Sequence, residues 1–515
     1  MPSPPVVWSI AGSDSGGGAG LQADLRAFAA FDVHGCTAVA AITAQNSVAI
    51  RRIDAVTPAL LDAQLAALAE DMPPCVIKTG MLGSVENVRV LRAWLQRLRA
   101  RGPLALVVDP IWKASSGAIL ADAAYRNALR ELLLPLTTLL TPNRAEAAWL
   151  LELSEPLESS AIPEAAHRLL QFGSGAVAIT GGDAGGALAL DYLHTPQTTG
   201  WLMLPRLLTR HGHGSGCTFA AAAAAAMALG YCEADALVLA KMATHDALRH
   251  AYAVGAGPGP VLLLPGFTLT PDVLPMLWQY PRAPTLRFPA LPDPHIGLYP
   301  VVDDPTWIPR CAAAGVTTLQ LRIKQPASAE LDDAIQTGIA LARAHGVHLF
   351  INDHWPLAIR HGAWGVHLGQ EDLQHADLAA IAGAGLRLGI STHSVWEVAR
   401  AYAVKPSYYA CGPIFPTRSK AMPWHPQGLT NLAFWSALLP APVVAIGGLD
   451  PERAAHAIGC GASGAAVMGG VTAVVDPDQA LRDYLAAIPR APHPRTPPRF
   501  PRPTLSWHAA APADD

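Results

Sequence analysis

From residue 6 to about residue 266, short β-branched runs such as VVWSI, CVIKTG, LALVVD and AVAIT alternate with Ala- and Leu-rich stretches of helical length. That alternation predicts strands joined by helices in a parallel α/β sheet. From about 295 to 488 it returns with a shorter period, through IGLYPVV, TTLQLRI, HLFIND, GVHLG, RLGIST, YYACGPI, PVVAIGG and GAAVMGG. These eight strand-like runs, separated by helical stretches, match the number a (β/α)8 barrel requires. The most apolar stretch, TFAAAAAAAMALG at residues 218–230, is too short for a bilayer, which takes about 20 apolar residues. It reads as a close-packed buried helix.

Two segments break the pattern. Residues 270–294, TPDVLPMLWQYPRAPTLRFPALPDP, carry too many prolines for a helix or a central strand, and the region 267–294 is expected to be a linker. Residues 489–503, PRAPHPRTPPRFPRP, combine four arginines with many prolines and no apolar periodicity, so the tail 490–515 is expected to be disordered. A chain of 515 residues also exceeds what one hydrophobic core usually organises. The expected division is 1–266, 267–294, 295–489 and 490–515.

Composition narrows the function. Charged residues make up 15%, apolar ones 51%, and the net charge is −4, so the chain lacks the basic field of a nucleic-acid binder. The seven cysteines are scattered and odd in number, with no C-x-x-C pair, which argues against structural disulfides. The opening MPSPPVVWSI has no basic n-region or long apolar h-region, and with the free thiols this points to the cytoplasm. Small-molecule substrates are the expected partners, with no membrane, and a homo-oligomer is left open.

Two glycine clusters carry candidate chemistry. The first, SIAGSDSGGGAGLQADL at residues 9–25, fits neither G-x-x-x-x-G-K-[ST] nor G-x-G-x-x-G. The second, HGHGSGCTFAAA, sets Gly214, Ser215 and Gly216 before the small-residue helix. Unpaired N–H groups and the positive dipole end there suit a phosphate, which makes it an anion-hole candidate. Cys217 stands at the helix start, where a thiol pKa is lowered, so its thiolate is a candidate base or polariser. Taken alone, a Cys in such a place is more often an inert buried apolar residue.

In order and spacing, GSDSGGGAGLQADL, AITAQNS, IKTGML, VVDPIWKASSG, LLTPNRAEA and GHGSGCTFAAA resemble the ribokinase superfamily over residues 6–266. They are most similar to hydroxymethylpyrimidine and hydroxymethylpyrimidine-phosphate kinases. The resemblance implies a three-layer α/β/α domain that uses ATP and Mg²⁺. It places Gly12, Asp24, Gln45, Met81 and Ile111 around a pyrimidine, with the first glycine loop lining the acceptor pocket. It places Asn143, Glu146 and Thr180 at Mg-ATP, although an Asn or Glu at a helix start is more often only a cap. The anion hole of Gly214, Ser215, Gly216 and Cys217 would stabilise the transferring phosphoryl group. Cys217, where many superfamily relatives have Asp, favours pyrimidine over sugar. One departure stands out: the family usually reads T-K-G-G, and AITGGDAGG has Gly181 in place of the lysine, removing a positive charge near the ATP phosphates.

The second half, through GLYPVVDD, TLQLRIK, LFINDHWPLAI, GVHLGQEDL, RLGISTHS, GPIFPTRSKAMPWHPQGL and VVAIGGLD, resembles thiamine-phosphate synthase. Most of these motifs follow a predicted strand, at the mouth where barrel active sites form. The resemblance implies that Asp353 and Asp372 hold Mg²⁺, a cation that prefers hard oxygen ligands. It assigns Arg322, Lys324, Asn352 and Lys420 to a pyrophosphate, and Gln320 and Ser391 to the pyrophosphate or the pyrimidine. Thr417 and Ser419 fall near a thiazole phosphate, with Gly447 and Gly448 as its amide cradle. Where the family commonly has Ser after the eighth strand, this chain has Gly469 and Gly470, leaving that phosphate to N–H donors.

The favoured expectation is a fused enzyme that phosphorylates hydroxymethylpyrimidine twice and couples the product to thiazole phosphate. Two alternatives for the first half are a pyridoxal-type vitamin kinase and a domain that binds pyrimidine without turnover.

Overall fold

The apolar runs of the first half form β1 (Val6–Asp14), β2 (His34–Gln45), β3 (Ile50–Ala55), β4 (Val76–Thr79), β5 (Ala105–Val108), β6 (Leu139–Leu140), β7 (Ala176–Gly181), β8 (Leu188–His194), β9 (Thr199–Pro205) and β10 (Met276–Trp278). In this computed structural model they make one sheet in the order β10-β9-β8-β7-β6-β5-β4-β1-β2-β3. The structure describes residues 3–113, 122–182, 185–270, 272–324, 329–417, 423–488 and 496–507. It divides into a first unit, Met1–Ala283 with Leu505–Asp515, and a second, Pro284–Thr504.

The centre of the sheet is parallel, as expected, but its margins are antiparallel: β3 on β2, and β8, β9 and β10 in succession on β7. Alternate residues of β1 serve opposite faces. Trp8 and Ile10 join Leu61, Leu65, Leu91 and Leu95, from the helices Pro58–Asp71 and Val85–Arg99, in one core. Ser9 instead reaches Asp24 of the helix Gly20–Ala30. The helix Ser215–Ala228 packs against β1, β4 and β5 and against the helices Gly20–Ala30 and Glu233–Arg249. Its run Ala220–Ala226 is fully buried, because methyl side chains let helix and sheet approach closely and Ala is the best helix former.

Two expectations need correction. The 267–294 segment is not wholly a linker: Met276–Trp278 carries no proline between Pro275 and Pro281, so its backbone pairs with Trp201, Leu202 and Met203 of β9 as an edge strand. Nor is the described part of the tail, 496–507, without structure. In the first unit, Cys232 N–H donates to the Leu505 carbonyl at 3.0 Å and Trp507 Nε1 to the Met227 carbonyl at 2.9 Å. The prolines conceal these anchors because they suppress helical periodicity without preventing side chain and carbonyl contacts.

In the second unit, β11 (Gly297–Val302), β12 (Thr318–Leu321), β13 (His348–Asn352), β14 (Gly365–Leu368), β15 (Arg387–Thr392), β16 (Tyr408–Cys411), β17 (Val443–Ile446) and β18 (Gly464–Val467) close into a barrel. Every neighbouring pair is parallel, β11 with β18 included. All eight strands lie within the eight apolar runs of the sequence. No described helix is long and apolar enough to cross a membrane, and all seven cysteines are free.

Candidate active sites

The first glycine loop wraps around its own carboxylate. Asp14, at the end of β1, accepts hydrogen bonds from the amides of Gly16 (2.8 Å), Gly18 (2.9 Å) and Ala19 (2.8 Å). Its Oδ2 also lies 3.1 Å from His213 Nε2, which is 3.3 Å from the Gln45 amide. The two glycine segments abut: Gly214 has φ +84°, and a Cβ there would lie 2.0 Å from the Gly18 carbonyl oxygen. Only glycine satisfies both the left-handed turn and this approach.

A cavity of about 880 Å³ opens over both segments. It is lined by Gly12, Gln45, Met81 and Ile111, by Asn143, Glu146 and Thr180, and by Gly214, Ser215, Gly216 and Cys217. Asn143 and Glu146 form a reciprocal capping box for the helix Arg144–Leu150, with bonds of 2.8 and 2.9 Å, while also facing the cavity.

Asp24 does not line it. This carboxylate is fully buried, accepting from Ser9 Oγ at 2.6 Å and from Lys78 Nζ at 2.9 and 3.0 Å. Lys78 lines the cavity in its place, with Asp109 Oδ2 3.8 Å from its Nζ. Burial opposes the Lys78 charge, but Asp24 above all outweighs it and holds the ammonium above the ordinary lysine range. Burial pushes Asp109 up to about 6, against the pull of Lys78.

Cys217 also departs from expectation. Burial, reinforced by Asp109 and Asp24, pushes its pKa up to about 12 despite the nearby Lys78, so it is a thiol at neutral pH. Lys78 and Asp109 are its charged neighbours. Complete desolvation outweighs the lowering expected at a helix start.

Gly181 cannot simply be given back a side chain: a Cβ there would lie 2.5 Å from the Leu190 carbonyl oxygen. Its N–H donates to Asp191 Oδ1 at 3.0 Å, and the other oxygen of Asp191 holds Lys241 Nζ at 2.7 Å. Lys241 lines the cavity from the helix Glu233–Arg249. Sequence reading missed Lys78 and Lys241, although Lys78 stands inside the apolar run CVIKTG, where a buried cation demands a carboxylate.

At the barrel mouth, Asp353 follows β13 with φ +61°, a left-handed conformation that Asp tolerates better than most residues. Asn352 Nδ2 donates to it. Asp372 lies in the first turn of the helix Gln370–His375, close enough for its charge to act on Asp353. Burial first, then the Asp372 charge, pushes Asp353 up to about 6, with Arg322 opposing. Two carboxylates whose charges interact suit a hard cation, which keeps waters and needs few protein ligands. Among the described residues no cluster of three or more His, Cys, Asp or Glu could hold a metal. Lys324 is exposed on the loop after β12, and Ser419 and Lys420 lie outside the described residues.

Gln320 and Ser391 belong to a buried polar chain across the barrel. Gln320 Nε2 donates to Tyr299 OH at 3.4 Å, Tyr299 OH meets Tyr408 OH at 2.8 Å, and His367 joins Tyr408 OH at 2.7 Å to Ser391 Oγ at 2.9 Å. Burial, with the charges of Arg322 and His393, lowers His367 to about 3, so the ring is neutral. These residues too were visible as polar interruptions of strand runs, in GLYPVV and GVHLG.

Gly447 (φ +101°) and Gly448 (φ +66°) follow β17 and press on Pro413 and Pro416, where a Cβ would come within 2.7 Å. Thr417 is half-buried beside Pro416. At Gly470 a Cβ would lie 2.3 Å from Tyr484 OH, whereas at Gly469 the nearest atom is 3.9 Å away, so a serine fits only at the first of the pair.

An α/β domain with an anion-receptive helix start, together with a closed parallel barrel carrying paired carboxylates at its mouth, is a phosphotransferase combined with a second transferase. The phosphomethylpyrimidine kinase family model matches residues 14–262, and the thiamine monophosphate synthase model matches 298–471. The thiamine-phosphate synthase of Serratia proteamaculans is 55% identical over 205 residues, 40% of this chain and 96% of the relative. That of Yersinia pestis is 50% identical over 205 residues, 40% of this chain and 95% of the relative. The chain belongs to the thiamine-phosphate synthase family and carries a phosphomethylpyrimidine kinase domain in front, which makes it a bifunctional enzyme of thiamine biosynthesis. Among solved structures, phosphomethylpyrimidine kinase from Clostridium difficile is 31% identical, with a TM-score of 0.42, over 47% of this chain and 99% of that one. An ADP complex of Bacillus subtilis pyridoxal kinase is 31% identical, with a TM-score of 0.47, over 51% and 98%.

Proposed function

We propose that the first unit phosphorylates 4-amino-5-hydroxymethyl-2-methylpyrimidine and then its monophosphate, using Mg-ATP. The barrel then couples the resulting pyrophosphate ester to 4-methyl-5-(2-phosphoethyl)thiazole, releasing pyrophosphate and thiamine phosphate. The observation that carries this reading is one cavity lined by both glycine segments together with Gln45, Met81 and Ile111 and with Asn143, Glu146 and Thr180.

In the kinase, the Ser215 amide is held by the Gly212 carbonyl at 3.2 Å, so charge on the transferring phosphoryl group falls to the first-turn amides of Gly216 and Cys217. Gln45 orients the acceptor by hydrogen bonding, and Lys78 supplies a buried positive field beneath it. Cys217 works as a thiol, positioned by Asp109. In the barrel, Arg322 and Lys324 neutralise the departing pyrophosphate. The neutral His367 fixes Ser391 through a chain that carries no net charge. Asp353 and Asp372 would hold Mg²⁺, which would supply positive charge for the leaving pyrophosphate. The reaction is assigned to the cytoplasm.

Incubation with the pyrimidine, ATP, Mg²⁺ and thiazole phosphate is expected to yield thiamine phosphate. Cys217→Ala should depress pyrimidine phosphorylation by at least about 100-fold, yet leave synthesis from supplied pyrophosphate ester intact. No pyrimidine-dependent ATP consumption, or a preference for pyridoxal, would sink the kinase assignment.

We assign to Lys241 the phosphate-facing positive charge that Gly181 lacks. Lys241→Met should raise the KM for ATP about tenfold while sparing the synthase, and Lys241→Arg should recover part of the loss. An unchanged KM for ATP in Lys241→Met removes the assignment.

A further inference from the structure

The proline- and arginine-rich tail plays no part in either reaction as derived, yet its residues 502–504 are tied into the barrel. Arg502 N–H donates to Asn431 Oδ1 at 2.5 Å, and Asn431 Nδ2 returns a bond to the Arg502 carbonyl at 2.9 Å. Two residues on, the Thr504 carbonyl accepts from His425 N–H at 2.9 Å. Asn431 is 1% exposed and sits on the helix Gly428–Leu438. Its Nδ2 also donates to Gln427 Oε1 at 2.8 Å.

Gln427, likewise 1% exposed, carries the connection to the mouth. Its Nε2 donates to the His393 carbonyl at 2.7 Å, two residues beyond Ser391, and its N–H donates to the Pro413 carbonyl at 2.7 Å, just past β16. The ring of His393 stacks on Trp424 at 4.2 Å. The tail backbone, Asn431, Gln427 and the carboxyl ends of β15 and β16 therefore form one buried hydrogen-bonded path. Every amide in it is matched, and a buried network of this kind fixes geometry because any broken member leaves an unsatisfied partner.

We propose that residues 502–504 are a brace for the barrel mouth, acting through Asn431 and Gln427 to position Ser391 and the start of the loop that bears Thr417. The tail is a positioning element of the synthase reaction and makes no contact with substrate itself. This rests on the assignment of the synthase site above. The brace is made by main-chain groups of Arg502, so its side chain is dispensable.

The test uses the full-length chain and supplied pyrimidine pyrophosphate. Arg502→Pro removes the N–H donor without touching the barrel. Asn431→Ala removes both sides of the same pair. Both are expected to raise the KM for the pyrophosphate ester about tenfold, with kcat within about threefold and pyrimidine phosphorylation by the first unit unchanged. Arg502→Ala, which keeps both main-chain groups, should match wild type. Wild-type KM in Arg502→Pro overturns the brace, as does a loss confined to Asn431→Ala and accompanied by a lower melting temperature. A wild-type chain that forms no thiamine phosphate would instead remove the synthase site reading, a distinct failure.

Discussion

Lys78→Met is expected to destabilise the first unit by about 3–5 kcal/mol, because it leaves Asp24 charged and buried with only Ser9 as partner. Lys78 and Asp24 are both 0% exposed, so neither can turn to water when the other is lost. Pyrimidine phosphorylation should fall at least about 100-fold, since the cation beneath the cavity disappears with the fold that holds it. The double variant Lys78→Met/Asp24→Asn should regain most of the stability, because a neutral pair needs no counter-charge, but not the activity. Thermal unfolding followed together with both reactions separates these effects. A single variant that melts like wild type would mean that Asp24 is not held as a carboxylate by Lys78. Recovery of activity in the double variant would confine Lys78 to a structural role.

Asp372→Asn should reduce thiamine phosphate formation from supplied pyrophosphate ester at least about 100-fold, or about 2.7 kcal/mol of transition-state stabilisation. It should also raise the Mg²⁺ concentration needed for half-maximal rate. One oxygen donor is lost, and Asp353, whose pKa is raised partly by the Asp372 charge, no longer shares its site with a second anion. Asp353→Asn should act alike without loss of fold, because Asn accepts the left-handed backbone at that position. The kinase reaction is the internal control. A rate and Mg²⁺ dependence equal to wild type in both variants would show that the carboxylates serve the loop alone.

Much of this was legible in the sequence because strand runs are local. All eight barrel strands and the parallel centre of the first sheet lie where short apolar runs recur, and GHGSGC does open a helix that faces a cavity. What escaped depends on residues distant in the chain. Met276–Trp278 becomes a strand only because the edge of β9 is there to receive it. Asp24 reads as a ligand in LQADL until Lys78, 54 residues later, claims it. The protonation of Cys217 is likewise set by burial and by Asp109, neither visible in its neighbours. The tail reads as disordered because most of its hydrogen bonds named above use main-chain groups of the tail, which composition does not report. Gly181, a loss of charge in the sequence, is answered through Asp191 by Lys241, 60 residues further on.

The loop wrapped around Asp14 also bears on how two glycine-rich turns share one cavity. Three of its amides already face a carboxylate, so that loop is internally neutralised. An incoming phosphate would find those three N–H groups already engaged, whereas the first-turn amides of Gly216 and Cys217 at the other segment have no intrahelical partner. On the proposed reading, occupied donors at the first turn and open donors at the second would direct the transferring phosphoryl group to the helix start.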